Sequence, residues 1–342
     1  TYPASSLFPV AIGVAFESAT GSFRAGLAAY LFALFVAVSA PWVVLIFRNT
    51  GLSSSTKALA LFVFGPLSLP ALIVLDRGNT VGFVVPALLL VVFGLAAGNS
   101  RIAALGFVFA VLIKPQFILM AFLLVKMKKW ALLLASLLTI SVLEIGAFLA
   151  FGPRHLASNI AQAIGSAGNY NSGNFSWTAF PTNVSITGVL QNLMPSVGLS
   201  NTSLDLNVIS IALFFLLFLA LVIRSGALSS YSWAMVLMAF SAFGPSTTWA
   251  YYLIIAPVTF SLLALEANTA VVPRQPKSHS RVAFLRSQIV IFIALLAHLL
   301  SLSTVLLPVP TAGDRTALPL YVITPLVWLA LAALLTFSPR KE

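Results

Sequence analysis

Apolar runs of about 20 residues recur along the chain and constrain its fold more than any other feature. A helical run of that length matches the roughly 30 Å hydrocarbon core of a bilayer. The candidate spans cover residues 25–47, 58–75, 81–97, 131–150, 207–223, 248–265, 287–307 and 317–337, with shorter pieces at 102–113, 116–125 and 231–243. With 60% hydrophobic and 7% charged residues, the chain cannot cover a soluble fold with polar surface. The sequence therefore predicts an all-α, polytopic helical membrane protein with a single transmembrane domain over residues 1–342.

A lysine followed by a proline, Lys114-Pro115, interrupts the apolar run 102–125. Proline lacks an N–H group and disfavours a helical conformation in the residue before it. The two halves, of about 12 and 10 residues, are each too short to cross roughly 30 Å at 1.5 Å per residue. They predict a re-entrant hairpin with Lys114 at the floor of a cavity that opens outward. The alternative is one kinked helix whose lysine extends to the interface.

The distribution of positive charge favours the hairpin. With the start of the chain outside and a break at Lys114-Pro115, 13 of the 18 Lys and Arg residues fall on one face, which the positive-inside rule makes cytoplasmic. These residues are Arg48, Lys57, Arg101, Lys126, Lys128, Lys129, Arg224, Arg274, Lys277, Arg281, Arg286, Arg340 and Lys341. Residues 266–286 form a basic cytoplasmic loop, and the net charge of +11 then reflects membrane orientation rather than nucleic-acid binding.

Charged residues near the outer face have two interpretations each. Asp76 and Arg77, in the short turn LDRGNTVGF, are either a solvated ion pair that closes a loop or, together with Lys114, the carboxylate and cations needed to handle a phosphate. Glu144 either pairs with Lys114 or reaches the interface. Three scattered histidines, no cysteine and no paired carboxylates predict no metal or other cofactor.

Aromatic residues mark two further outer segments. Gly244-Pro245 predicts a second break, and Trp249 and Tyr252 follow it as either an interfacial belt or part of a site. The extracytoplasmic loop 152–206 is rich in Asn, Ser and aromatic residues. It is either a flexible linker or an ordered cover for an outward site, because such side chains suit the hydroxyls and apolar faces of sugars.

Six short motifs occur in order along nearly the whole chain. They are Tyr2-Pro3 before an apolar stretch, RGN at 77–79, IKP at 113–115, KMKKW at 126–130, NVS at 183–185 and GPSTTW at 244–249. This order resembles that of the membrane glycosyltransferases of family 87, which have the GT-C fold and use polyprenyl-phosphomannose. The resemblance implies a GT-C-like bundle of about 11 helical segments with re-entrant or broken helices. It also implies a multi-pass protein of the bacterial plasma membrane whose active site faces outward.

The resemblance further implies transfer of a sugar, mannose, from a polyprenyl-phosphate donor to a lipid or glycan acceptor, amid membrane lipids and without nucleic acid. The candidate substrate-binding residues are Lys114, Arg77, Asn79, Asn183, Ser185, Trp249, Tyr252 and Tyr2. Among them Lys114 and Arg77 are expected to hold the phosphate. Trp249 is expected to stack on a sugar ring, and the Asn and Ser side chains to bind sugar hydroxyls.

The chain departs from the family pattern in two places. The family's catalytic aspartate lies upstream of the Tyr-Pro pair and would precede Thr1, so we expect the first span and first outer loop to be missing, and Asp76 is the candidate base within the chain. A histidine that often follows the family's tryptophan is replaced here by Ala250 and two tyrosines. Two other functions stay open, a lipid or solute transporter with broken helices around its site, and an inactive scaffold with the same fold.

Overall fold

The computed structural model describes residues 4–48, 53–65, 68–151, 206–224, 228–244, 250–259 and 261–262, together with residues 154, 156–162, 185 and 330. These residues are helical almost throughout, and no strand occurs among them. The α-helices of this part of the chain include α1 (Phe8–Thr20), α2 (Phe23–Arg48), α3 (Ser54–Phe64), α4 (Leu69–Asp76), α5 (Val84–Ala96), α6 (Ser100–Ile113), α7 (Ala121–Lys126), α8 (Trp130–Phe151), α9 (Leu206–Arg224) and α10 (Ser230–Phe243). Short 3-10 helices cover Ala4–Leu7, Thr80–Phe83, Pro115–Met120 and Ala250–Ile255.

Several predicted segments lie outside the described residues. They are the basic loop 266–286, the spans 287–307 and 317–337 except residue 330, and most of the outer loop 152–206.

Two of the described helices are long and apolar enough to cross a membrane. They are Phe23–Val44 within α2 and Trp130–Ala150 within α8, with mean hydropathies of 2.1 and 2.2. In the α8 window only 11% of the residues are buried. Its apolar side chains, including Leu134, Leu138 and Val142, therefore lie mainly on the surface of the chain.

The helix break at Lys114-Pro115 is confirmed. Helix α6 ends at Ile113, and Lys114 has an extended backbone with φ −142° and ψ 103° before a 3-10 helix begins at Pro115. The second predicted break is also found, since α10 ends at Phe243 with Gly244 as its cap. The cause is local in both cases, because a proline that follows the helix end cannot donate a backbone hydrogen bond.

The prediction of one continuous span over 58–75 is wrong. Two helices occupy this region, α3 ending at Phe64 and α4 beginning at Leu69. The sequence GPLSLP at 65–70 has Pro66 between the two helices and Pro70 in the first turn of α4, so two backbone donors are missing within six residues. High average hydropathy hides this interruption, because proline and glycine lower the helix propensity far more than they lower the hydropathy.

The chain divides into two compact units, residues 1–118 with 129–175, and residues 119–128 with 176–342. In the first unit α5 and α6 form a tight antiparallel pair joined by a three-residue connection. Gly98 adopts a left-handed φ of 64°, and the Asn99 side chain caps α6 by accepting from the N–H groups of Arg101 and Ile102. Gly98 in this conformation ends α5 and Asn99 starts α6, so the chain reverses direction within three residues and the two helices pack side by side.

In the second unit α10 is a buried helix, with every residue from Ser232 to Phe243 in the interior. The indole N–H of Trp233 donates to the carbonyl oxygen of Phe122 on α7 (3.0 Å). Rings of Phe214, Phe218 and Phe240 pack between α9 and α10, with centroids 5.3–6.2 Å apart. These contacts hold α7 and α9 to the central helix of the unit.

Candidate functional site

Lys114 is buried at the carboxyl end of α6, with only 3% of the residue exposed. Its backbone N–H donates to Ala110 and its carbonyl accepts from the N–H of Phe117, so both backbone groups stay bonded across the break. Because α5 and α6 are antiparallel, the end of α6 lies beside the 3-10 helix Thr80–Phe83 that precedes α5, and the two elements are in contact. The side chain of Lys114 therefore belongs to the same end of the helix pair as the turn 76–79.

That turn ends α4 with a tight backbone motif. The N–H of Gly78 donates to Leu75 and the N–H of Asn79 donates to Val74, and Gly78 has a left-handed φ of 53°. This is the paired hydrogen bonding of a glycine-capped helix end. The hydroxyl of Tyr30 on α2 donates to the carbonyl of Gly78 (2.8 Å) and fixes the turn from the side. Tyr30 was not predicted from the sequence, because nothing in its local pattern distinguishes it from a packing residue.

Asp76 and Arg77 form an ion pair in which Oδ2 lies 3.6 Å from Nε. Both side chains are exposed, Asp76 by 79% and Arg77 by 72%. The solvated pair expected as one interpretation is thus present, and an exposed pair of this kind contributes little stability. A role for Asp76 as base and for Arg77 as phosphate ligand stays a prediction. The Asn79 side-chain oxygen accepts from the N–H of Val81 (3.0 Å) and caps the next 3-10 helix.

Thr80 is a buried polar residue at this end of the helix pair that sequence reasoning missed. The residue is 8% exposed, and its hydroxyl is buried with no hydrogen-bond partner in the described part of the chain. A buried hydroxyl without a partner costs about 1–3 kcal/mol, so such a group calls for an explanation. Thr80 lies in the 3-10 helix that contacts the end of α6, where a ligand of Lys114 would bind. In the sequence it is only the residue that precedes the predicted span 81–97.

Ser5 joins α6 to α8 near the carboxyl end of α6. It donates from its hydroxyl to the carbonyl of Leu112 (2.6 Å) and from its N–H to Glu144 (3.3 Å), so Leu112 on α6 and Glu144 on α8 lie close together. Arg101, at the amino end of α6, is exposed and lies about 17 Å from Leu112 along the helix.

Ser185 and Tyr252 belong to the second unit, where both are buried, at 0% and 6% exposure. Tyr2, Asn183 and Trp249 lie outside the described residues. Among the described residues, no group of three His, Asp or Glu side chains could hold a metal ion.

The first unit is thus a helical assembly with a buried lysine at an interrupted helix end, and a capped turn at the same end of the α5–α6 pair carries a carboxylate and a second cation. No protein-family model, curated protein or solved structure matches this chain.

Proposed function

We propose that this chain is a polytopic membrane glycosyltransferase of the family 87 type. It transfers mannose from a polyprenyl-phosphate donor to a lipid or glycan hydroxyl at the outer leaflet of a bacterial plasma membrane. The apolar exterior supports a membrane location, because α8 presents residues such as Leu134 and Val142 that would otherwise face water. Arg101 lies at the amino end of α6, opposite Lys114, as expected if Lys114 faces outward and the basic residues face the cytoplasm.

The observation that carries the proposal is the position of Lys114. A lysine inside a membrane protein is retained against a cost of roughly 2.5–3.5 kcal/mol on insertion scales, so a functional role is the default explanation. Helix α6 ends at Ile113, one residue before Lys114, and the turn 76–79 at the same end of the helix pair supplies the carboxylate of Asp76 and the guanidinium of Arg77. A lipid phosphate that reaches this end from the bilayer meets cations without having to cross the hydrocarbon core.

The reaction needs a base, a leaving-group cation and a donor site. A carboxylate, with Asp76 the candidate in this chain, accepts the proton of the acceptor hydroxyl. The hydroxyl oxygen then forms a bond to the anomeric carbon as the bond from that carbon to the phosphate oxygen breaks. The polyprenyl phosphate departs with the bonding electrons, and Lys114 and Arg77 stabilise the negative charge that it gains.

The proposal is tested by incubating the purified protein, in liposomes, with radiolabelled polyprenyl-phosphomannose and a bacterial lipid extract as acceptor. We expect label in a product other than the donor or free mannose. A folded protein that transfers no label from this donor or from polyprenyl-phosphoglucose would contradict the enzymatic function and favour the transporter or the scaffold.

Thr80→Val is expected to weaken donor binding while leaving the fold intact. The substitution removes the buried hydroxyl, so the free energy of unfolding should stay equal or rise by about 1 kcal/mol. The loss of one hydrogen bond between Thr80 and the donor should weaken donor binding by about five- to tenfold. Binding of polyprenyl phosphate and thermal unfolding measure the two effects. Thr139→Val on the exposed face of α8 is the matched control, because the Thr139 hydroxyl donates to the carbonyl of Ala135 in its own helix. Unchanged donor affinity in Thr80→Val would remove Thr80 from the site.

A further inference from the structure

Glu144 ties the first described segment of the chain to α8. Its Oε1 accepts from the backbone N–H of Ala4 (2.9 Å), and its Oε2 accepts from the N–H of Ser5 (3.3 Å). The Ser5 hydroxyl donates in turn to the carbonyl of Leu112 (2.6 Å). Residues about 140 positions apart are thus joined through one carboxylate.

These bonds satisfy groups that the local structure leaves without partners. The first N–H groups of the 3-10 helix Ala4–Leu7 have no acceptor within that helix, and a carboxylate that accepts two of them makes charge-assisted hydrogen bonds. Leu112 is in the last turn of α6, where the break at Lys114-Pro115 stops the helix from using its carbonyl. Ala4, Ser5 and Ser6 are all buried in consequence.

We infer that Glu144 is a positioning residue for the Lys114 site, because it clamps the segment Ala4–Leu7 onto the carboxyl end of α6. The carbonyl that Ser5 contacts lies two residues before Lys114 in the chain. The clamp therefore limits how far the end of α6 can move. The inference rests on the proposed function, since the site that Glu144 positions is the donor phosphate site.

The clamp can be measured without any donor. The sequence has no cysteine, so the thiol introduced by Ser6→Cys is the only one in the protein. Ser6 is fully buried, and this thiol should react slowly with a water-soluble maleimide. Adding Glu144→Gln should raise the labelling rate about tenfold or more, because the amide group cannot accept from both N–H groups and the segment opens more often.

The transfer assay gives the second readout. Glu144→Gln should raise the KM for polyprenyl-phosphomannose about five- to tenfold with kcat changed less than about threefold, since Glu144 acts on the donor site and not on the reacting atoms. Glu144→Asp keeps the charge, so its labelling rate and its KM should both lie between those of Glu144→Gln and those of the protein with Glu144. Glu17→Gln, which makes the same substitution at an exposed carboxylate of α1, should change neither.

The outcomes distinguish failure of the Glu144 clamp from failure of the proposed transfer activity. A thiol that stays protected in Glu144→Gln would overturn the clamp. Faster labelling with an unchanged KM would show that the segment opens without affecting the site, and would overturn the positioning role. No transfer by the protein with Glu144 intact would refute the proposed function and the inference with it, and this is visible before any variant is made.

Discussion

Lys114→Ala is expected to lower the rate of mannose transfer at least about a hundredfold, the range found when one charge-stabilising group is removed from an active site. The phosphate leaves with additional negative charge, and Lys114 is the buried cation at the end of α6. Arg77→Ala should lower the transfer rate less, because the Arg77 side chain is 72% exposed and water and salt screen its charge. Transfer from labelled polyprenyl-phosphomannose by the purified variants measures both.

Lys114→Met separates loss of function from loss of fold. Methionine fills a similar volume without charge and so keeps more of the buried packing of Lys114 than alanine does. The variant should therefore unfold at a higher temperature than Lys114→Ala while losing transfer as fully. Lys129→Ala, which replaces an exposed lysine immediately before α8, should keep wild-type transfer. If Lys114→Met transferred mannose at the wild-type rate, Lys114 could not be the phosphate ligand.

Features decided by neighbours in the chain were predictable from the sequence. The limits of α2, Phe23–Arg48, differ by two residues or fewer from the predicted 25–47. The break at Lys114 was predicted because proline removes a donor whatever surrounds it. The interruption between α3 and α4 follows from the same rule, but averaging hydropathy over the run concealed it.

Features decided by tertiary contacts could not be predicted. Both interpretations of Glu144 considered only its charge and its depth, whereas the structure uses its carboxylate to accept N–H groups from Ala4 and Ser5. The roles of Tyr30 and Thr80 likewise depend on which helices meet at one end of the unit. A single sequence does not contain that information, because an apolar surface in such a chain can face either lipid or another helix.

The second large effect is expected at Gly106, one of the places where the backbones of α5 and α6 approach closely. A Cβ atom added there would meet the carbonyl oxygen of Ala87 and would lie 2.8 Å from the backbone nitrogen of Val91. These are backbone atoms, so no side-chain rotation relieves the clash. Gly106→Ala should lower the free energy of unfolding by about 3 kcal/mol, near the upper end of overpacking costs, even though alanine is the better helix former. Thermal unfolding in detergent measures the change.

Gly146→Ala on α8 is the matched control, because a Cβ there meets no atom within 4 Å. It should be neutral or stabilise the protein by up to about 1 kcal/mol through helix propensity alone. The contrast also bears on the site, since the close pairing of α5 with α6 is what sets the end of α6 beside the helix Thr80–Phe83. Donor binding should therefore weaken in Gly106→Ala even at temperatures where the variant stays folded. If Gly106→Ala proved as stable as Gly146→Ala, the two helices would not be in close contact, and placing Lys114 next to Thr80 would lose its structural basis.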